Sequence, residues 1–335
     1  MRSHQDTKLV ETGHFANCDA LQMYGGKPLV LDGGLGIQLE TLAEKRNFAV
    51  KNDPLWSGRA LIEAPDLIKD VHKSFLEAGC DIVTTSTYQI SRASLKKYTD
   101  FTDAQIEELW AKSVDVCWQA CKFHESKARV CGAIGPYGGF LANYAEYTGE
   151  YGLITNHKLE QYHLPLATFL NNNSKVDILA FETIPNYKEL KVIVNLICKM
   201  SATGPLKPFY LSMNFRNSSQ MSDGTLIEKI MGYLNGKLNK NSSLRKRLVA
   251  IGCNCTELKN ATHVLKNIET YNYHNIPTIV YPNLFADNND PQIDQKWLQL
   301  VDEWLKIGAS IIGGCCGTGP KQIAQIRFKV DHMIY

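Results

Sequence analysis

Short apolar runs, rich in Val and Ile, recur along most of the chain and are separated by longer stretches that mix apolar and charged residues. Continuous apolar runs of this length are typical of strands that are buried on both faces. We predict eight such strands, at 29–33, 81–88, 130–135, 177–182, 209–215, 248–255, 278–282 and 310–314.

The stretches between these runs have the spacing of helices with one buried face. Leu67, Ile68, Val71, Phe75 and Leu76 form such a face, because residues three and four apart lie on the same side of a helix. The same pattern predicts helices at 65–78, 103–126, 187–200 and 294–306.

Regular alternation of strand and helix predicts parallel strands joined by crossover helices. Eight units in about 300 residues match a (β/α)8 TIM-type barrel, which we place at 26–335 as a single α/β domain, with 1–25 as an N-terminal extension. A doubly wound open sheet is the alternative. It is disfavoured because the LDGGLG segment at the first strand lacks the GxGxxG spacing of dinucleotide-binding folds.

Polar and reactive side chains gather at the predicted carboxyl ends of the strands, where the active site of a (β/α)8 barrel lies. Ordinary core strands would not carry them, because a buried polar group costs free energy unless it is paired. The segments are DGG at 32–34, TSTY at 85–88, GPYGG at 135–139, FET at 181–183, SMN at 212–214, GCNCT at 252–256, YPN at 281–283 and GGCCGT at 313–318.

The cysteines of two strand ends predict a zinc site. Cys315 and Cys316 adjoin in a glycine-flanked turn, which lets both sulfurs face one ion. Either Cys253 or Cys255 could add a third thiolate, and their spacing does not choose between them. Three protein thiolates leave one tetrahedral position open, as in catalytic zinc sites. The alternative is a set of packed thiols or a vicinal disulfide.

Acidic and aromatic residues complete the predicted site. Asp32 and Glu182 follow apolar strands and could act as acid and base or bind an ammonium group, although Asp32 could instead cap the next helix. We also predict that Asn214, at the end of the fifth strand, binds the substrate. The aromatic rings in or near the strand-end loops, which would favour a cationic sulfonium, are Trp56, Tyr88, Tyr137, Phe140 and Tyr144.

Charge and hydropathy exclude several classes of partner. The 335 residues carry a net charge of only +2, which does not suggest binding to nucleic acid or to a membrane surface. No apolar window is long enough for a membrane span, and the N-terminus has no apolar signal core. We therefore expect a cytoplasmic protein, in which the ten cysteines do not form a disulfide framework.

Seven segments together resemble the homocysteine S-methyltransferase family, in the branch that uses S-methylmethionine or S-adenosylmethionine. The resemblance runs from about residue 27 to 326, and the pairing of GGCCG with a GxNC strand end is its most specific part. The segments are LDGGLGIQLE, DPLWSGRALIEAPDLI, AGCDIVTTSTYQ, GAIGPYG, FETIP, GCNCTE and GGCCGTGP.

The resemblance implies a zinc-dependent transfer of a methyl group from a sulfonium donor to the thiol of L-homocysteine. It assigns the zinc ligands to Cys255, Cys315 and Cys316. It further implies that Asp32 and Glu182 bind the homocysteine ammonium group, that Gly33 and Thr85 hold its carboxylate, and that Trp56 and Tyr88 line the donor side. We add Tyr137 to the donor side as part of the same aromatic group.

Several features stay open at this point. The betaine-dependent relatives carry a tyrosine after the strand-four glutamate, whereas Thr183 stands there in this chain, so the resting fourth zinc ligand is undetermined. Small-molecule substrates are the expected partners, with the protein a monomer or a small homo-oligomer. The rival functions are a zinc hydrolase, which more often uses His and carboxylate ligands, and a non-catalytic thiol-rich module.

Overall fold

The computed structural model describes residues 26–46, 53–124, 126–284 and 291–333. The predicted extension at 1–25 lies outside the described residues. Among those described, no helix is both long enough and apolar enough to cross a membrane.

Eight parallel strands form one sheet in the order β1-β8-β7-β6-β5-β4-β3-β2. A parallel bridge between Leu31 and Ile82 joins the first strand to the second and closes the barrel. This confirms the predicted (β/α)8 fold. The strands are β1 Leu29–Val30, β2 Ile82–Thr84, β3 Arg129–Ile134, β4 Ile178–Ile184, β5 Phe209–Met213, β6 Leu248–Glu257, β7 Thr278–Asn283 and β8 Ala309–Ile312.

Helices surround the barrel, and several of them begin at start signals in the sequence. Pro65 opens one of them at its first turn, where a missing N–H costs nothing. Thr102 and Gln105 form a capping box at the start of another. The helices are α1 Leu35–Lys45, α2 Ser57–Glu63, α3 Pro65–Glu77, α4 Arg92–Tyr98, α5 Asp103–Phe123, α6 Tyr137–Leu141, α7 Ala145–Thr148, α8 Asn156–Asn172, α9 Tyr187–Thr203, α10 Ile227–Lys240, α11 Ser242–Arg247, α12 Leu258–Thr270, α13 Ile293–Ile307 and α14 Pro320–Asp331.

The four helices predicted from apolar spacing are all present, with ends within a few residues of those expected. The second strand is shorter than its apolar run, because after Thr84 the chain leaves the sheet for a turn that carries Thr85 to Tyr88. The shortening brings these polar residues to the mouth of the barrel.

The core has two layers, because successive strand residues face opposite sides. Leu29 and Leu31 pack inside the barrel with Tyr210 and Ile311, whereas Val30 packs outward against the helices. The interior is therefore filled with side chains, and the pocket lined by Asp32, Glu182 and Cys255 lies where the strands end.

Candidate active site

The end of β6 changes direction at Cys255. This residue has a φ of 50°, in the left-handed region, and the pairing of β6 with β7 shifts register between Asn254 and Glu257. Cys253, in the regular part of the strand, packs outward in the helix-facing core. The irregularity turns Cys255 into the pocket instead, so the two cysteines do not share a face.

Amide side chains hold this irregular strand end in place. The Asn254 side chain accepts a hydrogen bond from the Thr183 backbone N–H at 2.7 Å and donates one to the Thr183 hydroxyl at 2.7 Å. The carbonyl of Cys255 accepts hydrogen bonds from Asn214 at 2.7 Å and from Asn283 at 2.9 Å. Thr183 itself has a φ of 56°, so these bonds fix two left-handed residues that would otherwise be strained.

The turn that carries Cys315 and Cys316 is bonded to the end of β7. The Cys315 N–H donates to the Pro282 carbonyl at 3.0 Å, and the Cys316 N–H donates to the Asn283 side chain at 3.1 Å. Gly34 packs against this turn so closely that a Cβ there would lie 2.4 Å from the Cys315 carbonyl oxygen. Only glycine allows the first strand end to approach the cysteine turn in this way.

The sulfurs of Cys255, Cys315 and Cys316 lie within 4.8 Å of one another, and those of Cys255 and Cys315 are in direct contact. No other group of three or more His, Cys, Asp or Glu side chains in the described residues clusters in this way. Three convergent cysteine sulfurs that line an open pocket would, as thiolates, fit the donor set of a zinc ion with one free position.

Two buried carboxyl groups face the same pocket. Asp32 accepts hydrogen bonds from the Thr84 N–H at 2.8 Å and from the Thr84 hydroxyl at 2.9 Å. Glu182 accepts one from the Tyr281 hydroxyl at 3.1 Å. Burial raises the pKa of Asp32 to about 7 and the pKa of Glu182 to about 8, against the lowering effect of these hydrogen bonds. The nearby charge of Asp32 also raises the pKa of Glu182.

Gly33 and Thr85 line the pocket beside these acids. A Cβ at Gly33 would lie 2.7 Å from the Phe75 ring, so glycine is required there. The Thr85 hydroxyl accepts from the Ala133 N–H at 3.1 Å and bonds to Thr87 at 2.7 Å. Thr87 donates its own proton to the Ala133 carbonyl, so the Thr85 proton is directed at Thr87 and away from a ligand.

The predicted aromatic residues separate into two groups. Trp56 and Tyr88 line the pocket, and Tyr88 lies where β2 has left the sheet. Tyr137 does not line it; its ring packs edge-on against Tyr162 at 5.3 Å and against Tyr151 at 5.5 Å. Asn214 likewise lies behind the pocket wall, where it supports Cys255.

The pocket also contains residues that the sequence patterns did not single out. Glu146 and Tyr147, on the short helix α7, line the pocket, and Tyr147 lies within hydrogen-bond reach of Cys316 and Asn283. Tyr281 lines the wall beside Glu182. For Glu146 and Tyr147, the only indication in the sequence is an acidic residue next to an aromatic one in the long segment after β3.

The charged side chains that line the pocket all have the same sign. Its carboxyl groups belong to Asp32, Glu146 and Glu182, and no Lys, Arg or His of the described residues lines it. The site therefore favours ligands with positive charge.

Comparison with known proteins gives a consistent result along the chain. The family model described as homocysteine S-methyltransferase matches residues 29–330. The chain is 31% identical over 317 residues to the homocysteine S-methyltransferase of Escherichia coli (strain K12), covering 90% of this chain and 94% of that protein. It is 31% identical over 325 residues to homocysteine S-methyltransferase 1 of Saccharomyces cerevisiae, covering 91% and 95%. The metallated form of the homocysteine methyltransferase MmuM from Escherichia coli has a TM-score of 0.76 at 29% identity, covering 90% and 96%.

Proposed function

The chain belongs to the homocysteine S-methyltransferase family, and we propose that it moves a methyl group from S-methylmethionine or S-adenosylmethionine to the thiol of L-homocysteine with the aid of zinc. The observation that carries this proposal is the convergence of three cysteine sulfurs, within 4.8 Å of one another, on a pocket lined by carboxyl groups and aromatic rings.

Cys255, Cys315 and Cys316 would hold the zinc. When bound, zinc would supply the activation of the substrate thiol, because it favours the thiolate, which is the nucleophilic form, over the thiol. One solved structure similar to this chain is described as a metallated form, which supports the expectation of a bound metal. The amides of Asn214 and Asn283 would keep Cys255 directed into the pocket through its carbonyl.

Asp32 and Glu182 would bind the ammonium group of homocysteine. Their carboxyl groups lie in the same pocket as the cysteines, and burial makes each of them a costly isolated anion that gains from a cationic partner. Gly33 would let the substrate approach the backbone closely. Thr85 would contribute to carboxylate binding only if its hydroxyl turned away from Thr87.

Trp56 and Tyr88 would line the donor side, where their ring faces attract the positive sulfonium. Tyr137 would support this side from its aromatic cluster rather than by contact. The donor methyl group bonds to the homocysteine sulfur while its bond to the sulfonium breaks, and the bonding electrons stay with the donor sulfur. The chain needs no general acid for this step, so its main task is to orient the two substrates.

A metal and turnover assay tests the proposal. We expect about one zinc per chain and methionine formation from homocysteine with at least one of the two donors. Cys316→Ser should lose most of the zinc and the activity, whereas Cys198→Ser, on α9 and away from the pocket, should retain both. Equal zinc in the two variants would overturn the ligand assignment, and no methionine from the wild type with either donor would overturn the function.

A further inference from the structure

Glu146 occupies a part of the pocket that neither the cysteines nor the Asp32–Glu182 pair explains. One of its carboxylate oxygens, Oε2, is buried and has no hydrogen-bond partner among the described residues. Its side chain lines the pocket together with Trp56 and Tyr88. A buried carboxylate oxygen without a partner is costly, so a cationic ligand group at this position would stabilise it.

The segment that carries Glu146 is fixed to the body of the barrel. Glu189, on α9, accepts a hydrogen bond from the Tyr137 N–H at 2.6 Å and another from the Tyr151 hydroxyl at 2.5 Å. His163 bonds to the same carboxylate at 2.9 Å. These bonds hold the segment on both sides of α7, so Glu146 is directed into the pocket by a built support.

We propose that Glu146 binds the α-ammonium group of the sulfonium donor, which makes it a specificity-determining residue for donors that are amino acids. This inference rests on the proposed function. With the homocysteine ammonium group assigned to Asp32 and Glu182, Glu146 is the only remaining carboxyl group among the described residues that line the pocket, and the donor brings a second ammonium group.

The chemistry of the reaction favours the ammonium group over the sulfonium as the partner of Glu146. The sulfonium loses its positive charge as the methyl group leaves, so a carboxylate paired with it would stabilise the substrate more than the transition state. The ammonium group keeps its charge throughout the reaction. A carboxylate there holds the donor without opposing the transfer, and the rings of Trp56 and Tyr88 remain for the sulfonium.

Calorimetry on the zinc-loaded protein tests the assignment with two ligands. One is S-methylmethionine, and the other is 4-(dimethylsulfonio)butanoate, which has the same sulfonium and carboxylate but no amino group. We expect Glu146→Gln to weaken S-methylmethionine binding by about 10- to 100-fold and to change binding of the second ligand by less than about 2-fold. The matched control is Glu150→Gln, an exposed position in the same segment, which should bind both ligands as the wild type does.

Three outcomes would overturn the assignment: unchanged binding of S-methylmethionine by Glu146→Gln, an equal loss with both ligands, or a loss of homocysteine binding instead. A fall in melting temperature with unchanged donor binding would likewise make Glu146 structural. Methionine formation by the wild type is measured separately, so a failure of the proposed function is distinguished from a failure of the Glu146 assignment.

Discussion

Two buried acids set the pH response of the site at the scale of single residues. Burial raises the pKa of Asp32 to about 7 and the pKa of Glu182 to about 8, so both are partly protonated in the empty pocket near neutral pH. An ammonium ligand stabilises their charged forms and lowers these pKa values. Binding of an ammonium ligand should therefore release protons from these two carboxyl groups. The affinity of the site for such a ligand should fall as the pH drops below about 8.

Glu182→Gln should weaken homocysteine binding by about 10- to 100-fold at pH 8, because it removes a buried charged hydrogen bond worth about 1.5–3 kcal/mol. It should also remove the part of the pH dependence centred near pH 8. Calorimetric titrations from about pH 6 to about pH 9 measure both effects. Glu257→Gln, exposed at the end of β6, is the control for titration of the ligand itself. Identical profiles for the two variants would contradict the role of Glu182.

Residue spacing alone does not decide whether Cys253 or Cys255 faces the pocket. In a regular strand, residues two apart share a face, so the pattern GCNC leaves both cysteines open. The structure separates them through a left-handed backbone at Cys255 and a register shift beside it. Cys has no local preference for the left-handed conformation. Hydrogen bonds from residues distant in sequence impose it here. The family resemblance made the assignment that spacing could not.

At the scale of elements, the ends of β4 and β6 act as one unit. The Asn254 side chain bonds to both the N–H and the hydroxyl of Thr183, and the Thr183 hydroxyl lies 3.8 Å from the Cys255 sulfur. Neither strand end is stable alone in its left-handed conformation. The position of Cys255, one of the proposed zinc ligands, is therefore set by a strand two places away in the barrel.

Asn254→Ala should lower the free energy of unfolding by about 1–3 kcal/mol, because it leaves the buried Thr183 N–H unpaired. It should also lower zinc content, because the Cys255 backbone is freed to relax. Denaturant unfolding and metal analysis on the same samples measure the two effects. Asn260→Ala, a half-buried position on α12, should change neither. If Asn254→Ala keeps full zinc content, the strand link is not what directs Cys255.

The segment after β3 was the least predictable element. Its helices, Tyr137–Leu141 and Ala145–Thr148, are too short to give a recognisable apolar period. Its anchor, Glu189, lies about 50 residues further along the chain. The distant Glu189 carboxylate positions the segment, and no local pattern shows this contact. The sequence patterns therefore indicated the aromatic residues of the segment but did not indicate Glu146. Tyr137 packs in this anchor region instead of lining the pocket.

At the scale of the whole molecule, the barrel was predictable because it repeats. Eight apolar runs at regular intervals allow few architectures, and right-handed crossovers fix the order of the strands. The prediction needed only the period of each segment. The geometry of the site depends on contacts between residues far apart in sequence, such as Gly34 with Cys315. Local sequence patterns do not reveal such contacts.

His72 should make the stability of the whole barrel sensitive to acid. It is fully buried on α3, neither ring nitrogen has a partner among the described residues, and burial lowers its pKa to about 4. The unfolded chain binds this proton near pH 6.5, whereas the folded chain binds it only near pH 4. The free energy of unfolding should therefore fall by up to about 3 kcal/mol between these values.

Urea unfolding at several pH values, with His72→Leu compared with the wild type, measures this contribution. The variant should lose less stability than the wild type as the pH falls from about 6.5 to about 4. His157→Leu, an exposed position on α8, should follow the wild type. Parallel curves for all three proteins would refute the effect.

The separation of Glu146 from the Asp32–Glu182 pair also bears on how turnover ends. When S-methylmethionine is the donor, acceptor and donor both become methionine, so each subsite finishes the cycle holding the same molecule. With the proposed assignments, free methionine should compete with homocysteine in one subsite and with S-methylmethionine in the other. Methionine keeps the ammonium group that the carboxylates would bind, but its neutral sulfur loses the attraction of the aromatic rings. The donor subsite should therefore release its product more readily than it releases its substrate.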